Sequence, residues 1–262
     1  MPHFSDSLSS IFGWVSIASW IIVYSPQIYE NYSLQSGEGL SILFVVVWLL
    51  GDFCNLLGAV AGGLLPTVII LALYYTACDL LLLGQIYYYR WKQNRSLSHE
   101  HEPLLTGQCI EEHTPMKRLL IRYTACLLFV FATGVLGWWI GNVTEDEKRP
   151  SPPQGDLRWQ IQVLGWTSAV LYLGARLPQI SKNLKTRCEG LSPALFFFAI
   201  FGNITYALSI CTKSMDPKYL FTNAGWLAGS VLTVFLDVIV LSQIFYYRYR
   251  TSELPTSNVP SQ

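Results

Sequence analysis

"SPQIYENY", Ser25 to Tyr32, closes an apolar run that begins at Ile11, and "RLPQISKN", Arg176 to Asn183, closes a second one. The two proline-glutamine pairs stand 152 residues apart, and so do Gly13-Trp14 and Gly165-Trp166. Gly39-Leu40-Ser41 repeats as Gly190-Leu191-Ser192, and Gly51-Asp52 as Gly202-Asn203, at an offset of 151. Asp79, Gln85-Ile86, Tyr88 and Arg90 return as Asp237, Gln243-Ile244, Tyr246 and Arg248 at an offset of 158. The offset drifts only at loops, so the chain carries two copies of one unit.

The unit is a membrane unit. Of the residues 52% are hydrophobic and only 13% charged, against about a quarter charged in soluble domains. Windows at about 10–29, 40–61, 66–89, 119–141, 159–181, 191–211 and 221–247 are almost free of Lys and Arg. Each is long enough to cross a hydrocarbon core, which needs about 20 residues in a helix. Lipid offers no partner to an open backbone, so helices are expected for such runs. The sequence therefore predicts an all-α membrane protein of seven transmembrane helices in a 3+1+3 arrangement. The first three-helix repeat covers 1–90, a cytosolic loop 91–118, a linker helix 119–141, a lumenal loop 142–158, the second repeat 159–250 and a cytosolic tail 251–262. A single linker helix returns the chain to its starting side, so the repeats are parallel, with a site expected between them near the midplane.

Orientation follows from basic residues. With the N-terminus lumenal, the cytosolic side holds Arg90, Lys92, Arg95, Lys117, Arg118, Arg122, Lys182, Lys185, Arg187, Arg248 and Arg250, and the other side Lys148, Arg149, Arg158, Lys213 and Lys218. The positive-inside rule favours this topology, with a cytosolic C-terminus. It places the sequon at Asn142 on the lumenal side, where it is a glycosylation candidate. The six cysteines show no metal-ligand spacing, and no cofactor, resident metal or nucleic-acid partner is expected.

Pro26 lacks an N–H and crowds the carbonyl of Ile22, and Pro178 does the same to Gly174. Two readings stay open: a simple helix end, with loops following at 30–39 and 181–190, or a hinge made of Pro26, Gln27, Pro178 and Gln179.

Two Pro-Gln pairs on a duplicated three-helix unit resemble the PQ-loop family, distantly related to the SWEET sugar transporters. Within it, "WLLGDFCNLLGA" (Trp48–Ala59), "YYTACDLLLLGQ" (Tyr74–Gln85), "LYLGARLPQI" (Leu171–Ile180), "FGNITYALS" (Phe201–Ser209) and "WLAGSVLTVFLD" (Trp226–Asp237) resemble the lysosomal and vacuolar cationic amino acid transporters. The resemblance implies movement of lysine, arginine and histidine across a lysosomal or vacuolar membrane.

The residues themselves favour a cationic ligand. Asp52 lies about twelve residues, or roughly 18 Å, into its helix, and Asp79 and Asp237 are similarly deep. An Asp at the helix centre costs about 2.5–3.5 kcal/mol on insertion scales, so each must face the interior. Asp79 and Asp237 are repeat equivalents, read as proton-coupling or cavity acids, or as structural ties between helices. Asp52 has Asn203 as its equivalent, and Asn55 has Tyr206. That broken symmetry selects Asp52, Asn55, Asn203 and Tyr206 as the expected substrate lining. Trp48 joins them as an aromatic wall, or else anchors in lipid; Arg176 either snorkels to the interface or pairs with an acid.

In the loop after the third helix, Glu100, Leu104 and Leu105 form an acidic dileucine pattern that cytosolic adaptors read as a sorting signal. Against the carrier stands one rival, a seven-helix nutrient sensor recruiting cytosolic partners. No nucleophile–base set or phosphate-binding loop supports an enzyme.

Overall fold

The structure is a computed structural model that describes residues 4–61, 66–99, 116–143 and 158–253. These residues form helices joined by short turns, and among them there is no strand. The helices are α1 (Phe4–Ile22), α2 (Ser25–Leu34), α3 (Ile42–Ala61), α4 (Pro66–His99), α5 (Met116–Val143), α6 (Arg158–Thr186), α7 (Pro193–Lys213), α8 (Pro217–Thr222) and α9 (Ala224–Glu253). Among the described residues, five stretches are long and apolar enough to cross a membrane: Asp6–Leu34, Ile42–Ala61, Ile69–Arg95, Pro193–Lys213 and Ala224–Arg250. Helix α5 runs through Val143, so Asn142 lies in its last turn. Glu100, Leu104 and Leu105 lie outside the described residues.

The chain turns helical again or stays helical at both prolines. In the first half the chain breaks at Val23-Tyr24, and Pro26 opens α2 in the first turn, where no backbone N–H is needed. The carbonyl of Ile22 at this break accepts the Ser25 hydroxyl at 2.8 Å. In the second half α6 passes through Pro178 and continues to Thr186. The loops expected at 30–39 and 181–190 therefore start later, at Gln35 and Arg187, both in the left-handed region with φ 49° and 53°.

The surface is apolar, and polar and charged groups are embedded within the apolar core. Leu43, Leu50, Leu57, Leu73, Leu80 and Phe235 stand exposed, whereas Gln27, Asn31, Asp52, Asp79, Arg176 and Asp237 are buried. Such a surface needs lipid around it, and such an interior holds the polar chemistry. Helix α1 packs on α7, and α3 on α6; α4 packs on α3, and α9 on both α6 and α7. The first helix of each repeat thus lies against the second helix of the other.

Two glycines make these contacts close. A Cβ on Gly51 would meet the Tyr172 ring at 2.7 Å, and one on its equivalent, Gly202, would meet Trp20 Nε1 at 3.0 Å. Tyr172 and Trp20 are themselves equivalent positions on α6 and α1. Small residues let apolar helices approach where lipid supplies no hydrophobic drive. At one end of the α1–α7 contact Lys213 pairs with Asp6 at 2.7 Å; further along, Ser16 Oγ donates to Gly202 O at 2.8 Å.

Candidate functional site

Two polar layers cross the interface between the halves. The first is made by the glutamines of the Pro-Gln pairs. Gln27 Nε2 donates to Gly190 O at 3.0 Å, and Gln27 Oε1 accepts from Ser192 N at 2.8 Å. Gln179 does the same in the opposite sense: its Nε2 donates to Gly39 O at 3.1 Å, and its Oε1 accepts from Ser41 N at 2.7 Å. Each glutamine therefore clamps the Gly-Leu-Ser turn of the other repeat. These amides do not turn back on the carbonyls that the prolines crowd.

The side chains behind the clamps are matched too. Gln27 Nε2 also donates to Asn31 Oδ1 at 2.9 Å, and Gln179 Nε2 to Asn183 Oδ1 at 2.8 Å. Asn31 Nδ2 then donates to Gln85 Oε1 at 3.0 Å, and Asn183 Nδ2 to Gln243 Oε1 at 2.8 Å. Gln27, Gln179 and Asn183 are fully buried, so each amide must find partners or cost about 1–3 kcal/mol. Helical spacing delivers the set, because Gln and Asn stand four residues apart on one face. At the centre the two turns touch: a Cβ on Gly39 would meet Gly190 O at 1.9 Å, and Gly190 has φ 68°. Around the rim Arg90 holds Glu38 through bonds of 2.6 and 3.0 Å, and Lys182 of the other repeat donates to the carbonyls of Glu38 and Leu40. The Arg90 guanidinium keeps the Glu38 carboxyl below its usual range.

The second layer holds the acids. Asp52 on α3 is buried and accepts Tyr24 Oη at 3.1 Å and Tyr172 Oη at 2.5 Å, one phenol from each half. Asp79 on α4 is fully buried within reach of the Asp52 carboxyl and the Tyr24 hydroxyl, and neither of its oxygens has a partner at full hydrogen-bond geometry. Asp237 on α9 accepts Arg176 Nε at 2.9 Å and Nη2 at 3.3 Å. Arg176 is itself buried and does not snorkel. Its Cζ lies 4.8 Å from the centre of the Trp48 ring, and Trp48 stacks on Tyr24 with ring centroids 5.4 Å apart. Trp48 is buried at 2% exposure, which rules out the lipid-anchor reading.

The expected lining divides. Asp52 and Trp48 lie together at the α3–α6 contact. Asn203 is buried on α7, and its Nδ2 has no partner; no hydrogen bond joins it to Asp52 among the described residues. Asn55 and Tyr206 are half-buried. Sequence reasoning missed Tyr24 and Tyr172, which hold Asp52, and Asn31 and Asn183, which back the glutamines. The asparagines had a signal, since each follows its glutamine by four residues in both copies. The tyrosines had none, because Tyr24 corresponds to Arg176 and Tyr172 to Trp20.

The PQ loop repeat model matches residues 8–68 and 161–219. A vacuolar lysine transporter of Saccharomyces cerevisiae is 39% identical, over 93% of this chain and 94% of its own. A vacuolar histidine transporter of the same yeast is 36% identical, over 93% of both chains. The human lysosomal amino acid transporter 1 homolog is 30% identical, over 94% of this chain and 85% of its own.

Proposed function

The chain belongs to the PQ-loop repeat family, and from that premise we propose that it carries cationic amino acids across a lysosomal or vacuolar membrane by alternating access. The observation that carries this reading is the pair of buried acids, Asp52 and Asp79, close to the contact between the halves. A buried carboxylate that lacks a cationic partner attracts one, and repels anions. The names of the relatives, transporters of lysine and histidine among them, support the same class.

In this reading seven helices cross the membrane as 3+1+3. The first repeat is α1/α2, α3 and α4, the linker is α5, and the second repeat is α6, α7 and α9. The N-terminus is lumenal and the C-terminus cytosolic, so the paired glutamine clamps form a closed cytosolic gate. Opening it separates Gln27 from Gly190 and Gln179 from Gly39. Pro26 and Pro178 are the hinges, since each stands one residue before its clamp. Glu100, Leu104 and Leu105 supply the sorting signal to adaptors, and Asn142 the glycan site.

Transport is linked to protons because the Asp52 and Asp79 carboxylates take up either a proton or a cation. The titratable and charged groups close to Asp79 include Asp52, Tyr24, Tyr172, Arg176 and Cys78. The link fails if Asp52→Asn, Asp79→Asn and Asp237→Asn variants all keep the wild-type pH profile of transport. The function as a whole is tested by uptake of radiolabelled arginine into proteoliposomes containing only this protein. Excess lysine should suppress uptake and excess glutamate should not; no uptake above empty liposomes rejects the reading.

A further inference from the structure

The halves treat equivalent acids differently. Asp79 and Asp237 are both fully buried. Asp237 is neutralised by the two bonds from Arg176. In the first half the position equivalent to Arg176 is Tyr24, which carries no charge and gives its hydroxyl to Asp52 instead. Asp79 therefore has no bonded cation: its neighbours are a second acid and a neutral phenol, neither at full hydrogen-bond geometry. The Arg176 guanidinium lies near enough for its charge to be felt at Asp79, but its hydrogen bonds go to Asp237 and to the carbonyl of Tyr172 at 2.9 Å. Evolutionary duplication thus leaves one copy of the acid with a built-in cation and the other copy without.

We infer that Asp79, with Asp52 beside it, is the seat of the substrate's positively charged side-chain group, while Arg176 permanently fills the twin seat at Asp237. The inference rests on the reading of the chain as a cationic amino acid carrier. Arg176 shows what such a seat asks for: nitrogen donors about 3 Å from the carboxylate and an aromatic face beside the cation, here Trp48 at 4.8 Å. Tyr24 stacks on that same Trp48, so the aromatic wall runs on from Arg176 towards Asp79. The carrier consequently takes one cationic side chain per turn. Asp237 belongs to the scaffold rather than to the ligand.

The test uses purified full-length protein and follows its melting temperature with arginine and with citrulline, a neutral analogue of nearly the same shape. Wild type should respond to arginine at concentrations at least about tenfold lower than to citrulline, since only arginine matches a buried charge. Asp79→Asn should erase that preference. Tyr24→Arg, which tethers a guanidinium where the second half has one, should raise the melting temperature without ligand and abolish the response to arginine. If Asp79→Asn keeps the tenfold preference, the seat is elsewhere although the carrier reading stands. If wild type itself does not distinguish the two compounds, the carrier reading falls and the seat with it. Should Tyr24→Arg not fold, the Asp79→Asn comparison decides alone.

Discussion

Gln27 and Gly190 lie 163 residues apart in the chain and 3.0 Å apart in space, amide nitrogen to carbonyl oxygen. Gln179 and Gly39 repeat the bond in the other direction at 3.1 Å. A glutamine side chain has one donor group and one acceptor, so a single residue can satisfy both strands of a turn. Two such residues, exchanged between halves, tie the molecule at one face, with the Lys182–Glu38 ion pair beside them at 3.8 Å.

The exchange predicts a crossed response to mutation. In Gln27→Ala the amide of Ser192 and the carbonyl of Gly190 lose their partner, whereas Ser41 keeps Gln179. Hydrogen exchange at Ser192 should accelerate by on the order of tenfold, with Ser41 little changed. Gln179→Ala should give the converse. Acceleration of the mutant's own turn instead would contradict the crossed clamp.

The glycines where the two Gly-Leu-Ser turns touch tolerate no side chain. In Gly39→Ala the new methyl meets the Gly190 backbone oxygen, and backbone cannot step aside as a flexible side chain does. Gly190→Ala places a side chain at φ 68°, a strain of about 1–3 kcal/mol. Thermal melting should show both variants destabilised, and Gly13→Ala, where a Cβ meets nothing within 4 Å, should melt like wild type.

Asp237 and Asp79 should respond oppositely to neutralisation. Asp237→Asn leaves the buried Arg176 guanidinium without its counter-charge, a loss of about 3–5 kcal/mol. Replacing both partners by apolar residues, Arg176→Met with Asp237→Leu, should restore most of the stability. Asp79→Asn removes a carboxylate that had no partner at full hydrogen-bond geometry, so its melting temperature should equal or exceed that of wild type. A strong loss in Asp79→Asn would mean that the acid is a structural tie.

At the rim, Glu38 is ionised by its bond to Arg90, which holds its carboxyl below the ordinary range. Its contribution to stability is present above the unfolded value of about 4.3 and is lost as pH falls through the lowered folded value. The pair is half-exposed, so it is worth about 0–1 kcal/mol. Melting curves of wild type and Glu38→Gln should differ slightly at neutral pH and converge below about pH 4. A difference that grows on acidification would contradict this assignment.

The sequence carried the duplication clearly, because every clamp residue has its counterpart at an offset of 151, 152 or 158 that changes only at loops. Asp52, Asp79 and Asp237 were readable as interior residues, since an acid in an apolar helix cannot face lipid. Legibility ended where partners come from the other half. Nothing local says that Tyr172 reaches Asp52 across 120 residues, or that Trp48 lies under Arg176 rather than in lipid. Broken symmetry grouped Asp52 with Asn203, yet Asp52 lies in the acid layer and Asn203 lies on α7 without a bond to it. For the prolines the sequence left a helix end and a hinge open, and only the structure shows that Pro26 opens α2, where helices accept it, while α6 runs through Pro178.

Counterflow tests the central claim most directly. Proteoliposomes containing only this protein, loaded with unlabelled lysine and diluted into trace radiolabelled arginine, should accumulate label transiently above its equilibrium level. That overshoot requires a site that faces the two sides in turn and holds one cation at a time. Label that never rises above the level in liposomes loaded with glutamate would contradict the account and leave a molecule that binds without carrying.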